Sequence, residues 1–162
     1  MSGTTKTSGG SATRAAGGKF LTFFLDQEEY GIEILSVREI IGLLPVTPVP
    51  QTPHYVQGVV NLRGQVIPVV DLRLKFDMAG IDATDETCII VVQTGGAQLG
   101  IIVDKVSEVL DILSQDIVDA PTLGNEIDTD YIMGVGKAGT RVILLLDIGR
   151  VFPSVALEAI AA

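Results

Sequence analysis

From Lys19 onward, short apolar runs alternate with turn-forming residues, a pattern typical of an all-β barrel or sandwich. In the second run, Ile32 and Ile34 share one face and Glu33 lies on the other, so that one face of this strand would be buried. The apolar run that opens at Cys88 is continuous and predicts a strand buried on both faces. The first five predicted strands are 20–25, 30–35, 37–41, 59–62 and 66–72.

Four prolines between residues 45 and 53 interrupt this alternation. Proline cannot donate to a sheet ladder, so the segment is excluded from a central strand and indicates an edge or an extended loop. Thr52 followed by Pro53 resembles a helix N-cap with proline at the first helical position, and Gly58 resembles a C-terminal stop. We therefore predict a short helical turn near 53–57.

The chain also contains an internal repeat. Residues 30–41 align with 99–110 at a shift of 69, and residues 58–72 align with 134–148 at a shift of 76. The residues shared in register include the pairs Gly31/Gly100, Val37/Val106, Glu39/Glu108 and Asp71/Asp147. An internal duplication of a five-strand β unit therefore accounts for the globular part.

The repeat and the composition together suggest a domain organisation. Residues 1–18 are dominated by Gly, Ser and Thr, and such a segment cannot offset its own ordering entropy. The composition from Pro153 to Ile160 favours a C-terminal helix. The predicted organisation is a flexible arm at 1–18, a domain at 19–155 with copies at about 19–87 and 88–155, and a C-terminal tail at 156–162.

The charge of the chain restricts its partners. Its 162 residues include 11 Lys and Arg against 20 Asp and Glu, a formal charge of −9, which argues against a nucleic-acid or anionic-membrane surface. The acidity is concentrated in residues 77–130, which hold one Lys and twelve acidic residues. No apolar run approaches the roughly 20 residues that span a bilayer. We therefore expect a cytoplasmic protein that does not insert into the membrane.

Few residues are available for catalysis or metal binding. One Cys and one His exclude a disulfide framework within the chain and a Cys/His metal cluster. His54 is predicted to be a solvated turn residue, and Cys88 a small buried hydrophobe. We predict no catalytic residue, no cofactor and no metal, and hence a protein that is not an enzyme.

Two patterns keep a nucleotide-binding or hydrolytic enzyme as an alternative. Gly134-x-Gly136-x-x-Gly139 matches the dinucleotide-binding string, but the following residues indicate a strand where that motif requires a helix. Asp71 and Asp147, one in each copy, resemble the carboxylate pair of aspartic proteases. Neither is followed by the hydroxyl residue and glycine of that family, so a strand-ending Asp that binds turn backbone is the favoured interpretation.

A charged pair is predicted at the turn between the fourth and fifth strands. Arg63 lies in the tight turn at 61–64. Val37 and Glu39 are two residues apart and therefore face the same side of their strand. We predict that Glu39 pairs with Arg63 at the barrel surface. The alternative is two independently solvated charges, since an exposed pair contributes only about 0–1 kcal/mol.

Residues 58–73, GVVNLRGQVIPVVDLR, resemble the CheW-like domain family, which includes chemotaxis coupling proteins and the regulatory domain of the histidine kinase CheA. The resemblance extends through 29–32, 37–40 and 144–147 and covers about 19–153. It implies two intertwined, SH3-like, five-stranded β-barrels. It also implies a cytoplasmic, non-catalytic adaptor that joins CheA to the cytoplasmic tips of methyl-accepting chemoreceptors and reaches receptor arrays only through these protein partners.

The same resemblance implies where partners would bind. The groove between the barrels would take the receptor's helical hairpin, and the barrel faces would meet the matching barrels of the kinase. The matching positions are Val37 and Glu39 on one strand, with Gly58 and Arg63 near the following turn. Which partner each residue contacts stays open. So does the output, because a coupling protein of a parallel pathway that drives pili or another response is an alternative.

Overall fold

A computed structural model describes residues 17–119 and 131–152, which form a mainly β structure, as predicted. The strands are β1 (Gly18–Leu25), β2 (Glu28–Glu33), β3 (Val37–Gly42), β4 (Val56–Leu62), β5 (Gln65–Asp71), β6 (Cys88–Thr94), β7 (Ala97–Val103), β8 (Lys105–Ile112), β9 (Ile117–Val118), β10 (Ile132–Ala138) and β11 (Arg141–Leu146). Two one-turn helices, α1 (Leu72–Lys75) and α2 (Ile148–Val151), follow β5 and β11.

Each of the two sheets combines strands from both sequence copies. One sheet has the order β8-β1-β2-β11-β10-β9, and the other has the order β3-β6-β7-β5-β4. Replacing every strand with its repeat counterpart converts one order into the other, apart from the short strand β9. The pairs β2–β11 and β5–β7 are parallel, and both join strands from different copies. The copies in the sequence are therefore intertwined in space, in agreement with the fold that the family resemblance implies.

Aliphatic and aromatic side chains fill three hydrophobic clusters. The largest lies between the two sheets and includes Phe23, Ile32, Ile90, Ile101 and Leu146. A smaller cluster lies within each curled sheet, one around Phe20 and Ile143 and the other around Ile67 and Ile89. Burying each such side chain stabilises the fold by about 1.5–3 kcal/mol, so these clusters hold the two sheets in one body.

The predicted helical turn at 53–57 is wrong. The carbonyl of Pro53 accepts a hydrogen bond from Val56 N at 2.9 Å, which closes a single β-turn, and β4 begins at Val56. The Thr52 hydroxyl donates back to the carbonyl of Val49 instead of capping a helix. Proline presets a φ that suits a turn as well as a helix start, so the two signals could not be separated.

The second predicted strand ends earlier than expected. Ile34–Ser36 forms a 3-10 helix between β2 and β3, so Ile34 is no longer part of the strand, although its half-buried side chain still packs against the cluster that contains Ile32. This helix redirects the chain from one sheet into the other.

Two further predictions concern the chain ends. The predicted arm lies outside the described residues up to residue 16, and β1 already begins at Gly18. The predicted C-terminal helix and tail lie outside the described residues as well. No helix in the described part of the chain is both long and apolar enough to cross a membrane.

Candidate functional site

A polar cavity of about 430 Å³ opens between β3, the β4–β5 hairpin and β7. Its lining residues are Val37, Arg38, Glu39, Leu62, Arg63, Gln65 and Gln98. Three of the four predicted site residues, Val37, Glu39 and Arg63, therefore meet at one place.

A β-bulge shapes the β3 side of this cavity. Val37 pairs with Val92 and Glu39 pairs with Val91, which leaves Arg38 as an extra residue in β3. A bulge breaks the strict alternation of side chains, so Val37 and Glu39 line the cavity together with the residue between them. The sequence predicted the first two but not Arg38, because a bulge has no signature in the hydrophobic pattern here.

The hairpin side is a two-residue turn of unusual composition. Arg63 and Gly64 both have positive φ, +53° and +85°, which is the type I′ geometry that matches strand twist. The Asn61 side chain accepts a hydrogen bond from Gly64 N at 2.8 Å and fixes the turn. An arginine in the left-handed region costs about 1–2 kcal/mol relative to the ordinary helical region. The guanidinium is thus held at the cavity against a local backbone cost.

The predicted Glu39–Arg63 pair is present. Nη2 of Arg63 donates a hydrogen bond to Oε2 of Glu39. The arginine side chain is 69% exposed, so the pair adds only about 0–1 kcal/mol to stability. The pair orients two charged groups at the mouth of the cavity and contributes little to the fold.

Gly58, the fourth predicted site residue, lies in β4 outside the cavity lining. Its φ is +142°, and a Cβ added there would lie 2.1 Å from the carbonyl oxygen of Thr47. Thr47 exchanges two backbone hydrogen bonds of 2.9 Å with Val59, so the loop lies directly against β4. Only glycine permits this contact, and Gly58 therefore affects the first barrel through backbone packing.

The second copy builds a different site at the equivalent place. Arg141 Nε donates to Glu29 at 3.1 Å, and Nη1 donates to Glu108 at 2.8 Å. The Glu29 side chain is only 6% exposed. Hydrogen bonds to Glu29 and then to Glu108 raise the pKa of the Arg141 guanidinium further above its ordinary value. This cluster was not predicted from the sequence, although Glu108 aligns with Glu39 and Arg141 follows the turn of the second hairpin.

The repeat shifts allow a position-by-position comparison of the two sites. The equivalent pairs are Arg38/Ser107, Glu39/Glu108, Arg63/Gly139, Gln65/Arg141 and Gln98/Glu29. Counted over these five positions, the first site has a formal charge of +1 and the second a formal charge of −1. Only the glutamate on β3 and β8 is shared, so the copies present opposite charges on the same framework.

A buried ion pair also joins the copies at α1. Arg73 donates to both carboxylate oxygens of Asp104, at 2.8 and 2.7 Å, and to the carbonyl of Ala79 at 2.9 Å. Burial acts to raise the pKa of the Asp104 carboxyl, but the hydrogen bonds from Arg73 and Asp26 N and the charge of Arg73 outweigh it and lower that pKa. We term Arg73, Asp104 and Asp26 the inter-copy clamp.

The two aspartates that resemble a protease pair lie where strands β5 and β11 lead into the one-turn helices α1 and α2. Asp71 Oδ1 accepts from Arg73 N at 2.9 Å and caps α1, as predicted for a strand-ending Asp, and burial raises the pKa of this carboxyl. Asp147 precedes α2, but its side chain makes no cap hydrogen bond as that of Asp71 does; its backbone carbonyl accepts from Arg150 N at 2.9 Å instead. Asp71 is the last residue of β5 and Asp147 directly follows β11, and these strands belong to different sheets.

The glycine string also has a structural explanation. Gly134 and Gly136 lie within β10, and Gly139 begins the turn into β11, so no helix follows as a dinucleotide site requires. A Cβ at Gly134 would lie 2.8 Å from the carbonyl of Val118 on β9. The first glycine thus repeats the close backbone approach that Gly58 makes in the first copy.

The remaining candidates for chemistry are separate from the cavity. His54 is exposed, and its Nε2 lies 3.1 Å from the carbonyl oxygen of Leu74. Cys88 is half-buried at the start of β6, and burial raises the pKa of its thiol. Within residues 17–119 and 131–152, no group of three or more His, Cys, Asp or Glu side chains is arranged to hold a metal ion.

Comparisons with known proteins give consistent matches. The family model named CheW-like domain matches residues 19–156. Chemotaxis protein CheW of Klebsiella aerogenes is 41% identical over 143 residues, covering 88% of this chain and 86% of that protein. Chemotaxis protein CheW of Rhizobium meliloti is 36% identical over 143 residues, covering 88% and 92%. The crystal structure of the scaffolding protein TtCheW from Thermoanaerobacter tengcongensis matches with a TM-score of 0.78 at 33% identity, covering 85% of this chain and 93% of that one.

Proposed function

The chain belongs to the CheW-like domain family of chemotaxis scaffold proteins, which are not enzymes, and on that premise we propose that it couples methyl-accepting chemoreceptors to the histidine kinase CheA. In this proposal the receptor's helical hairpin binds between the two barrels, and the regulatory domain of CheA binds a barrel face. The protein works in the cytoplasm and reaches receptor arrays through these two partners. It changes their relative geometry and carries out no reaction itself.

The observation that carries the proposal is the meeting of Val37, Glu39 and Arg63 at one open cavity. Val37 supplies half-buried apolar surface, and the two charged groups flank it. Such a mixture gives orientation and selectivity at an interface of ordinary size. We assign these three side chains to direct contact with a partner.

Gly58 has a supporting part in the same proposal. It allows the loop at Thr47 to pack against β4 and so fixes the barrel face that carries the β4–β5 hairpin. A larger residue here would displace that face together with Arg63.

The backbone of Arg63 provides independent support for a functional role. The equivalent residue of the second copy is Gly139, which also has a positive φ of +65°. Glycine adopts this conformation without steric cost, whereas arginine does not. A strained residue that the fold does not need is typical of a functional position.

The test is co-sedimentation of the full chain with a receptor cytoplasmic fragment and the CheA regulatory domain. We expect Arg63→Gly and Val37→Glu to abolish assembly of the ternary complex. Arg63→Gly should keep a free energy of unfolding within about 1 kcal/mol of the wild type, because glycine suits the turn. Circular dichroism and urea unfolding would establish that both variants stay folded.

A matched control is Lys19→Ala, which breaks another exposed ion pair, with Asp111 at 3.4 Å. This variant should co-sediment like the wild type. Normal assembly of Arg63→Gly and Val37→Glu would show that the residue assignment is wrong. A wild-type chain that sediments with neither partner would overturn the adaptor function itself.

A further inference from the structure

We propose that the polar cavity at the β4–β5 hairpin binds a carboxylate side chain, Asp or Glu, that the partner protein presents. This inference rests on the proposed adaptor function and names the chemistry of its contact. Its support comes from the charge of the cavity, from the equivalent site in the second copy and from the conformation of Arg63.

The cavity holds more positive than negative charge. Arg38 and Arg63 line it with one carboxylate, Glu39. Arg38 has no ion-pair partner among the described residues, and Arg63 uses Nη2 alone to reach Glu39. A guanidinium has five donors, so Arg63 retains donors for a second carboxylate.

The other polar groups of the cavity also suit an incoming carboxylate. Gln65 and Gln98 bring side-chain amides that can donate hydrogen bonds to a carboxylate oxygen. A guanidinium can bind a carboxylate through two parallel N–H···O hydrogen bonds, and the amides offer further donors nearby. A cationic side chain would meet two like charges here and is disfavoured.

At the equivalent site of the second copy, one guanidinium is paired with two carboxylates. There the guanidinium of Arg141 lies between two carboxylates, Glu108 on β8 and Glu29 on β2. The first copy retains the Glu108 equivalent, Glu39, but has Gln98 where the second copy has Glu29. The first site therefore lacks the second carboxylate that its counterpart draws from within the chain. A partner's carboxylate would supply it.

The first site is also more open than the second. Arg141 spans the second site, whereas Gln65 replaces it in the first and leaves an open volume of about 430 Å³. This volume exceeds that of one carboxylate-bearing side chain, so the group can enter together with neighbouring partner atoms. The guanidinium of Arg63 stands at the rim, 69% exposed, where an approaching group meets it first.

The overall acidity of the chain makes this site selective. An acidic segment is repelled by a protein with a formal charge of −9, except where local positive charge exceeds negative charge. Attraction at such a site decreases as salt increases, since the charges are exposed. Binding through this cavity should therefore weaken as the ionic strength rises.

A first experiment tests the cavity without any partner. The ¹⁵N-labelled full chain is titrated with sodium acetate against sodium chloride at equal ionic strength, and side-chain NMR signals are followed. We expect saturable shifts at the guanidinium of Arg63 and the amide of Gln98 with acetate only. The absence of an acetate-specific, saturable shift at these groups would overturn the proposal.

A second experiment makes the formal charge of the cavity more negative in one variant and more positive in another. Gln98→Glu supplies from within the chain the carboxylate that the second copy has, and Gln98→Lys adds a positive charge. We expect Gln98→Glu to weaken the binding of one partner, receptor fragment or kinase domain, at least tenfold at low salt. Gln98→Lys should bind that partner as tightly as the wild type or more tightly. The control Gln115→Glu, an exposed site outside the cavity, should change affinity less than twofold.

The outcomes separate this inference from the adaptor function. Wild-type binding to both partners, with equal affinity for Gln98→Glu, would overturn the carboxylate site and leave the function standing. Loss of all wild-type binding, with acetate shifts present, would overturn the function and leave a carboxylate site in the cavity. Equal weakening by Gln98→Glu and Gln98→Lys would show that the shape of the cavity matters and its charge does not, which also overturns the proposal.

Discussion

The two hairpin sites have the same framework and opposite organisation. In the second copy, Arg141 pairs with both Glu29, whose side chain is buried, and Glu108, whose side chain is half exposed. In the first copy, Glu39 and Arg63 remain at the surface beside an open cavity. After the duplication, one copy has thus paired its arginine with a buried carboxylate, while the other has left its charges beside an open cavity, where we propose that a partner binds.

The inter-copy clamp shows the same division at the helices that follow β5 and β11. Arg73 of the clamp corresponds to Gly149, and Asp104 corresponds to Leu35, so the second crossover has neither charge. The clamp thus reinforces only one of two equivalent junctions. The pseudo-symmetry of the strands does not extend to the side chains that fasten them.

The largest expected effect compares the two glycines that approach a neighbouring backbone. Gly58→Ala should destabilise the protein by about 3 kcal/mol or more, because it combines a clash with Thr47 and a strained φ. Gly134→Ala should cost about 1–3 kcal/mol, since it brings a contact of 2.8 Å but no positive φ. Urea unfolding followed by circular dichroism measures both. Equal losses of unfolding free energy in the two variants would show that the positive φ of Gly58 adds no cost.

The next effect compares the arginines of the two hairpins. Arg141→Ala leaves the Glu29 carboxylate, 6% exposed, without its partner, and should cost about 2–3 kcal/mol. This is below the cost for a fully buried pair, because Arg141 itself is 38% exposed. Arg63→Ala should cost about 1 kcal/mol or less. The same unfolding measurement tests both, and a larger loss for Arg63→Ala would reverse the comparison between the copies.

The third comparison concerns the inter-copy clamp and its dependence on pH. Asp104→Asn should reduce the free energy of unfolding by about 1.5–2 kcal/mol at pH 7, because Arg73 loses a charged acceptor. The pKa of Asp104 is lowered in the folded state, so its contribution is present above the ordinary carboxyl range and disappears as the pH falls through the lowered value.

Unfolding from pH 7 down to pH 3 would test this dependence. The difference between the wild type and Asp104→Asn should stay constant down to about pH 4.5 and shrink below about pH 4. Asp111→Asn, which affects an exposed pair, should cost less than about 1 kcal/mol at every pH. A difference that grows as the pH falls would contradict the assigned direction of the shift.

The strands were predictable from the sequence because short apolar runs and the turn residues between them are local features. The Glu39–Arg63 pair joins residues 24 apart, so local spacing did not determine it; the opposite charges and the tight turn at Arg63 suggested it. The helical turn at 53–57 was wrong because Thr52 and Pro53 favour a β-turn as strongly as a helix start.

The rest depends on contacts that local patterns do not encode. Arg73 and Asp104 are 31 residues apart, and they meet only because β5 pairs with β7 of the other copy. Glu29 and Arg141 are 112 residues apart and meet because β2 pairs with β11. The alternation of a strand gives its buried face but not its partner.

The exchange of strands between copies also affects how the chain folds during its synthesis. During synthesis, β1 leaves the ribosome long before β8, its neighbour at 105–112, and β3 to β5 must wait for β6 and β7. Pairings this distant in sequence slow folding. The first copy therefore has no complete sheet of its own to fold into, and strand edges stay open until the second copy has been translated. A ribosome-bound chain is most exposed to aggregation in that interval.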